Sequence, residues 1–383
     1  MVSFAFTDEH EEFRKTLATF SDRVLLPGYR DRAASTDFPF DILKRIGDLG
    51  LLGIGLPEQY GGTGTEDPVL LGIATETLAY GDVNMASAPV QIGLVASQLA
   101  LCRDEIQERY LPPLINGEQT IAIALTEPGS GSDASTLTTT ATAVEGGWRL
   151  NGEKTAISWA MNATAALVYA REPGSSRARG VSCFVVPLDA DGVSVSHMPG
   201  MGCLPWVGKH SSVRRLRSRV ASRRRTRQGL SLGHGPLRLQ SCGSRTDVPR
   251  RRETESGGSR RVRAATGDVR AAALRAPGTR VPIRRARHLF RRRSLDLLPG
   301  AVLRETAQPH TALASMSKWW PPVVAKNAIE FAMRVHGNLG YSTESPLQQR
   351  YRDVTAYLVA DGTAEIQKRI IAKDIFARGT VSL

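Results

Sequence analysis

Apolar positions recur with different periods along the chain, and the changes of period mark its domains. Up to about residue 115 the period is helical. TDEHEEFRKTLATFSDRVLLP places acids behind a Thr7 cap and ends at a proline, which predicts a helix. FPFDILKRIGDLGLLGIGLPEQYGGTG predicts a helix followed by a turn-rich loop. DPVLLGIATETLAYGDVNMASAPVQIGLVASQLALC predicts two largely buried helices, and EIQERYLPPLINGEQ a short helix and turn.

From about 120 the runs become β-branched, with Glu-Gly-Gly, Asn-Gly and Asp-Gly turns between them. TIAIALTEPG, STLTTTATAVEGGWRLNGEKTAIS, AALVYARE and GVSCFVVPLDADGVSVSHM predict an antiparallel β domain. The helical period returns from 306, where Pro321 and Pro322 are expected to kink or restart the first helix. An α+β fold follows: an N-terminal helical domain (1–118), a middle antiparallel β domain (119–213) and a C-terminal helical domain (306–383). Residues 214–305 fit neither period.

The 383 residues suffice for two or three domains with real cores, and 41% hydrophobic content suits a globular chain. No run approaches the ~18 apolar residues of a membrane span. Charges stand where a signal peptide needs an apolar core, so a cytoplasmic protein without a membrane partner is expected. Cys102, Cys183, Cys203 and Cys242 are scattered without a CxxC pair, so neither a metal site nor a disulfide framework is expected. The net charge of +13 by itself suggests an anionic partner such as nucleic acid. Its distribution changes that picture. Residues 214–293 hold 25 arginines, no lysine and four acids, a net of +21, which leaves −8 for the rest.

Two stretches carry candidate chemistry. ALTEPGSGSDAS (124–135) is a glycine-rich loop leaving a strand, where backbone N–H groups can approach a ligand and Thr126, Ser130 and Ser132 add hydroxyls. It also suits a plain surface turn. In VADGTAEIQKRIIAKDI (359–375), Asp361 precedes a helix, as an N-cap or as a general base.

Taken with LPEQYGGTG (56–64) and HGNLGY (336–341), these stretches resemble the acyl-CoA dehydrogenase family in order and spacing. LTEPGSGSD followed by LNGEKTAIS is similar to that family's flavin-loop signature. HGNLGYSTESPLQQRYRDVTAYLVADGTAEIQ is similar to its C-terminal one. The resemblance covers residues 1–213 and 306–383. It implies a C-terminal four-helix bundle, a homotetramer (or homodimer), FAD between the middle and C-terminal domains, and α,β-dehydrogenation of an acyl-CoA substrate. A carboxylate takes the α-proton, the β-hydrogen leaves as hydride to the flavin, and electrons pass to an electron-transferring flavoprotein.

Carried over by residue, the resemblance assigns Leu125, Thr126, Gly131 and Ser132 to the flavin ring and the start of the acyl chain. Ile157 and Ser158 fall near the flavin's reactive nitrogen, and Thr363 and Glu365 near its adenosine part. Arg334, Gly337 and Asn338 match a loop that reaches FAD from a neighbouring subunit. Asp361 is the implied base, with Ser132 and Gly362 beside the substrate. The chain departs from the family at Ala156, where many members have tryptophan, and at Ser158-Trp159 in place of Thr-Asn. It departs again at Ala360-Asp361-Gly362-Thr363, where the common form is Tyr-Glu-Gly-Thr. Aspartate reaches roughly 1.5 Å less than glutamate. That form resembles the cyclohexanecarboxyl-CoA type of member and implies an alicyclic or α-branched acyl group.

Residues 214–305 contain neither the expected bundle helices nor the family's Arg-x-x-Phe-Gly motif. Out-of-frame GC-rich codons yield the Arg, Ala, Gly, Pro and Ser seen there, so a compensated frameshift between about Val213 and Glu305 is expected. An acyl-CoA oxidase using O2, distinguished by peroxide formation, is one alternative. The other is a non-catalytic nucleic-acid-binding protein on a degenerate dehydrogenase scaffold, distinguished by salt-sensitive binding.

Overall fold

A computed structural model describes residues 6–202 apart from 36, 65–66, 146, 176–179 and 199, the strand backbones at 210–214, 219–220 and 223–224, and residues 310–377. The N-terminal part is helical. Helix α1 (Asp8–Phe20) starts in a capping box, in which the Thr7 hydroxyl accepts from the His10 N–H and His10 Nδ1 accepts from the Thr7 N–H. It is followed by α2 (Tyr29–Ala34), α3 (Phe40–Asp48), α4 (Pro68–Gly81), α5 (Ala88–Leu99) and α6 (Asp104–Ile115). Asp67 caps α4 by accepting from the Leu70 N–H at 2.7 Å, with Pro68 in the first turn. Helices α4 and α5 are buried on several faces, as their nearly continuous apolar sequences require.

The middle part is built of strands β1 (Ile121–Ala124), β2 (Thr140–Val144), β3 (Gly147–Asn151), β4 (Lys154–Ile157), β5 (Ala165–Arg171), β6 (Val181–Pro187), β7 (Ser194–Met198), β8 (His210–Arg214), β9 (Arg219–Val220) and β10 (Arg223–Arg224). The larger sheet runs β10-β6-β5-β2-β3-β9, with β1 also on β5; the smaller is β4-β8-β7. The expected antiparallel arrangement holds for β2–β3, β5–β6 and β4-β8-β7. It fails at the centre: β1 and the start of β2 run parallel to β5. The cause is connectivity, because the 40 residues between β1 and β5 form the crossover that a parallel pair requires.

Strand β5 alternates between two cores. Ala165, Leu167 and Tyr169 join the large helical core, whereas Ala166, Val168 and Ala170 face a second core with Phe184 and Val186 of β6. Both faces are covered, so AALVYAR is apolar along almost its whole length. Three short strands carry the sheets past Val213. The rest of 214–305, with the bundle helices and motif that the resemblance places there, lies outside the described residues.

The C-terminal part comprises α7 (Thr311–Val335), α8 (Asn338–Tyr341), α9 (Pro346–Ala356) and α10 (Ala364–Ala377). The restart expected at Pro321-Pro322 does not occur: α7 is one helix of 25 residues. The buried stripe Ala314, Lys318, Pro322, Ala325 and Ile329 packs it against α9 and α10, and Pro322 itself lies in that stripe. This packing holds the helix across the backbone bonds that the prolines lack.

A buried polar cluster joins the two helical parts. One carboxyl oxygen of Asp353 on α9, fully buried, accepts from Tyr29 Oη (2.6 Å), Asn84 Nδ2 (3.1 Å) and Gln349 Nε2 (2.8 Å). Beside it, Arg32 pairs with buried Asp82 at 2.8 Å. Arg350 lies over the Tyr29 ring and donates to the Tyr80 carbonyl.

A buried ion pair fixes the segment leaving β1. Lys154 Nζ, on β4, donates to Glu127 Oε1 at 2.7 Å and to the Leu125 carbonyl at 3.0 Å. Glu127 also accepts from the Thr138 N–H, the Thr138 hydroxyl and the Thr139 N–H. Burial opposes its charge, but these bonds outweigh it and hold the Glu127 pKa at about 2. The stability it contributes is complete above its ordinary value of 4.5 and is lost as the pH falls toward 2. Urea unfolding between pH 6 and pH 2, compared with Glu127→Gln, should show that acid loss in the wild type and a flatter profile in the variant. Lys154→Met, which strands the carboxylate, should cost about 3–5 kcal/mol at pH 7. The double variant Glu127→Gln/Lys154→Met should recover part of that cost.

Candidate active site

The glycine-rich loop is a rigid bracket. Glu127 and Ser130 exchange backbone bonds at 2.9 and 3.1 Å. The Ser130 hydroxyl, read from sequence as a ligand donor, points inward: it donates to the Asp133 carbonyl and accepts from Thr136. Asp133 accepts from the Ser135 hydroxyl and N–H, which lower its pKa. Gly131 and Ser132 remain exposed, and their amide N–H groups donate to no other described residue. A Cβ built on Gly129 would meet nothing within 4 Å, and one on Gly131 only a Thr126 methyl at 4.0 Å.

The loop is tied to β4. The Thr155 N–H donates to the Thr126 carbonyl at 2.9 Å, and Lys154 holds the Leu125 carbonyl. Leu125, Thr126, Ile157 and Ser158 therefore form one unit with Gly131 and Ser132. Ile157 is buried in the second core and Ser158 is half-buried. Ala156 (φ +55°) and Trp159 (φ +67°) flank them in left-handed backbone, which disfavours both residue types. Trp159 is buried and meets Phe38 edge-on at 5.7 Å. The tryptophan of this segment thus packs inward, and the Ala156 position is left exposed.

The third non-glycine residue of positive φ among the described residues is Asp361 (φ +55°), followed by Gly362 (φ +90°). These two residues reverse the chain between α9 and α10. Asp361 is not the helix cap. The Thr363 carbonyl accepts the first helical bond, from the Gln367 N–H at 3.0 Å, and the Thr363 hydroxyl bonds to Glu365. Asp361 is exposed by area, yet protein surrounds its carboxyl closely enough that burial raises its pKa, partly offset by the Lys318 ammonium.

Lys318, which the motifs do not mark, belongs to this turn. It is buried, and its Nζ donates to the carbonyls of Tyr357 (3.0 Å), Ala360 (2.6 Å) and Gly362 (2.7 Å). Burial lowers its pKa and Asp361 raises it. A signal was present in the sequence: a lone lysine inside the apolar stripe of α7.

The structure thus gathers the predicted residues into two groups, the loop with β4 and the α9–α10 reversal (Asp361, Gly362, Thr363, Glu365). Leu125, Trp159 and Tyr357 of these two regions pack on one hydrophobic core. Arg334, Gly337 and Asn338 belong to neither group. They lie exposed at the corner between α7 and α8, where Gly337 takes φ +57° and ψ −138°, a conformation reserved for glycine. Among the described residues no cluster of His, Cys, Asp and Glu could hold a metal, and no helix is long and apolar enough to cross a membrane.

Comparison with known proteins agrees with this layout. Residues 7–118, 122–207 and 295–376 match the N-terminal, middle and C-terminal domains of acyl-CoA dehydrogenase. A 3-(aryl)acrylate reductase of Clostridium sporogenes is 27% identical, over 97% of this chain and 99% of its own. The caffeyl-CoA reductase-Etf complex subunit CarC of Acetobacterium woodii is 27% identical, over 96% and 98%. The benzylmalonyl-CoA dehydrogenase of Aromatoleum aromaticum is 30% identical, over 98% and 100%. Among solved structures, a glutaryl-CoA dehydrogenase from Mycobacterium smegmatis in complex with FADH2 superposes with a TM-score of 0.81 at 20% identity, covering 98% of this chain and 96% of that one. The chain belongs to the acyl-CoA dehydrogenase family.

Proposed function

We propose that this chain performs FAD-dependent α,β-dehydrogenation of an acyl-CoA thioester with Asp361 as the base. The observation that carries the reading is the placement of Asp361: a carboxylate in strained backbone beside the buried Lys318 ammonium, without a helix-capping role. The loop residues fit a flavin, because Gly129 and Gly131 border open space and two exposed amide N–H groups accompany them. Leu125, Thr126, Gly131, Ser132, Ile157 and Ser158 would hold its ring, and Thr363 and Glu365 its adenosine part. Arg334, Gly337 and Asn338 would meet it from a second copy in a homotetramer. FAD, when bound, supplies the acceptor for the β-hydride. Asp361 takes the α-proton, with Ser132 and Gly362 beside the thioester.

The raised pKa makes Asp361 a stronger base than an ordinary aspartate, at the cost of losing its charge at a higher pH. The shorter side chain suits an α-carbon held in a ring, and we read the acyl group as alicyclic. The three relatives named above act, by their names, on aryl-bearing acids or thioesters, which supports a ring in the substrate. One of them is a subunit of a complex with Etf, which supports an electron-transferring flavoprotein as acceptor here.

Substrate-dependent flavin reduction in Asp361→Asn should fall by about 10²–10⁴-fold with FAD binding retained. Undiminished reduction with every acyl-CoA tried would remove the base assignment. The acid limb of the wild-type rate should lie above the ordinary aspartate value of about 3.9. Asp361→Glu should move preference from cyclohexanecarboxyl-CoA toward butyryl-CoA.

The family matches stop at residue 207 and resume at 295, and the arginine-rich stretch lies between them. We infer a compensated frameshift there, whose intact frame supplies the remaining bundle helices and flavin contacts. Sequencing the coding DNA across about codons 200–315 should reveal two compensating changes and, once corrected, a helical apolar stripe with Arg-x-x-Phe-Gly. DNA that matches the chain unchanged would overturn this inference. Salt-sensitive binding of nucleic acid by the 214–293 segment would then be the function to test.

A further inference from the structure

We propose that Lys318 is the positioning residue of the Asp361 carboxylate: its buried ammonium clamps three carbonyls of the reversal and places a fixed positive charge beside the base. The proposal rests on the reading of Asp361 as the base.

Geometry supplies the argument. Asp361 and Gly362 are consecutive residues of positive φ. For a non-glycine residue that backbone costs on the order of 1 kcal/mol or more, and it persists only where its surroundings over-determine it. Here the turn is held from two sides. Gln367 Nε2 reaches back from α10 toward the Asp361 carbonyl at 3.4 Å. Lys318 reaches in from α7 and bonds to the carbonyls before and after Asp361, those of Ala360 and Gly362, and to that of Tyr357. These groups lie past the end of α9, where carbonyls lack helical partners. A hydroxyl or amide could serve one or two of them. An ammonium has three donors and serves all three.

This saturation has a chemical consequence. With its three N–H groups committed to the backbone, Lys318 has no donor for the Asp361 carboxylate. Among the described residues no ion pair within 4.0 Å joins them. The positive charge therefore favours the ionised carboxylate through space, against the burial that opposes it. The carboxylate oxygens stay available to receive a proton. A direct salt bridge would instead hold the base in a bond that must break before it could act. The titratable groups coupled to Asp361 are Lys318 from α7 and the Tyr357 phenol at the end of α9, whose pKa burial raises first and nearby carboxylates raise further.

The test uses the full chain with uniformly 13C-labelled aspartate, where the carboxyl signal lost in Asp361→Asn identifies Asp361. In Lys318→Met its titration midpoint should move up, and its Cα shift should leave the left-handed range. Lys318→Arg, which keeps the charge, should restore the midpoint at least in part. Should Lys318→Met fail to fold, Lys318→Gln, with two donors and no charge, carries the same test. An unmoved midpoint in a folded neutral variant overturns the proposal. An equal shift in the arginine variant overturns its electrostatic half. The base reading fails separately. If Asp361→Asn keeps full flavin reduction while Lys318→Met still moves the midpoint, the clamp stands and the base assignment falls. If Asp361→Asn abolishes reduction and the neutral variants move nothing, the reverse holds.

Discussion

The two helical parts of this chain are joined through a carboxylate that meets no solvent. Asp353 gathers a phenol from α2, an amide from the loop before α5 and an amide from its own helix onto one oxygen. Burial raises its pKa first, and the three donors lower it again. Such a group tolerates little displacement, because each donor withdrawn leaves a buried polar atom unpaired at a cost of about 1–3 kcal/mol. The approach of α9 to α2 is thereby fixed, and with it the position of the reversal that follows α9. The Asp361 turn is placed by this constraint, since it lies eight residues beyond Asp353 on the same backbone path.

Two lysines brace the two groups of candidate residues in similar ways. Lys154 braces the glycine-rich loop through Glu127 and the Leu125 carbonyl; Lys318 braces the Asp361 turn through three carbonyls. Both are buried, and burial lowers the pKa of each. The strained residues Ala156, Trp159 and Asp361 lie within a few residues of these anchors or of their partners. Strain concentrated where ligands would bind, and held by buried charged hydrogen bonds, is the pattern expected of a preorganised site. It also explains why loop residues that look interchangeable in sequence divide their tasks, with Ser130 turned inward and Ser132 left exposed.

Much of this architecture was legible in the sequence because it depends on local periodicity. The helical stripe of α1 with its Thr7 cap, the apolar runs of α4 and α5, and the β-branched runs of β5 and β6 form the elements that their patterns predict. The family resemblance was legible because LTEPGSGSD and VADGTAEIQ are contiguous motifs, recognisable even with Ala360-Asp361 in place of Tyr-Glu. The break at the arginine-rich stretch was visible in composition alone, since 25 arginines without a lysine suit neither period.

What the sequence could not decide depended on partners distant along the chain. The parallel pairing of β1 with β5 is set by which strand reaches the sheet centre, which no local period encodes. The continuity of α7 through Pro321 and Pro322 follows from packing on α9 and α10, which outweighs the proline penalty. For Asp361, its own neighbourhood suited a helix cap as well as a base. Only the tertiary structure gave the cap to Thr363 and brought Lys318 across 43 residues to the turn that carries the carboxyl. Local chemistry determined which residues this protein has to work with. Long-range packing decided their roles, because a buried charge acts only through the groups that the fold places around it.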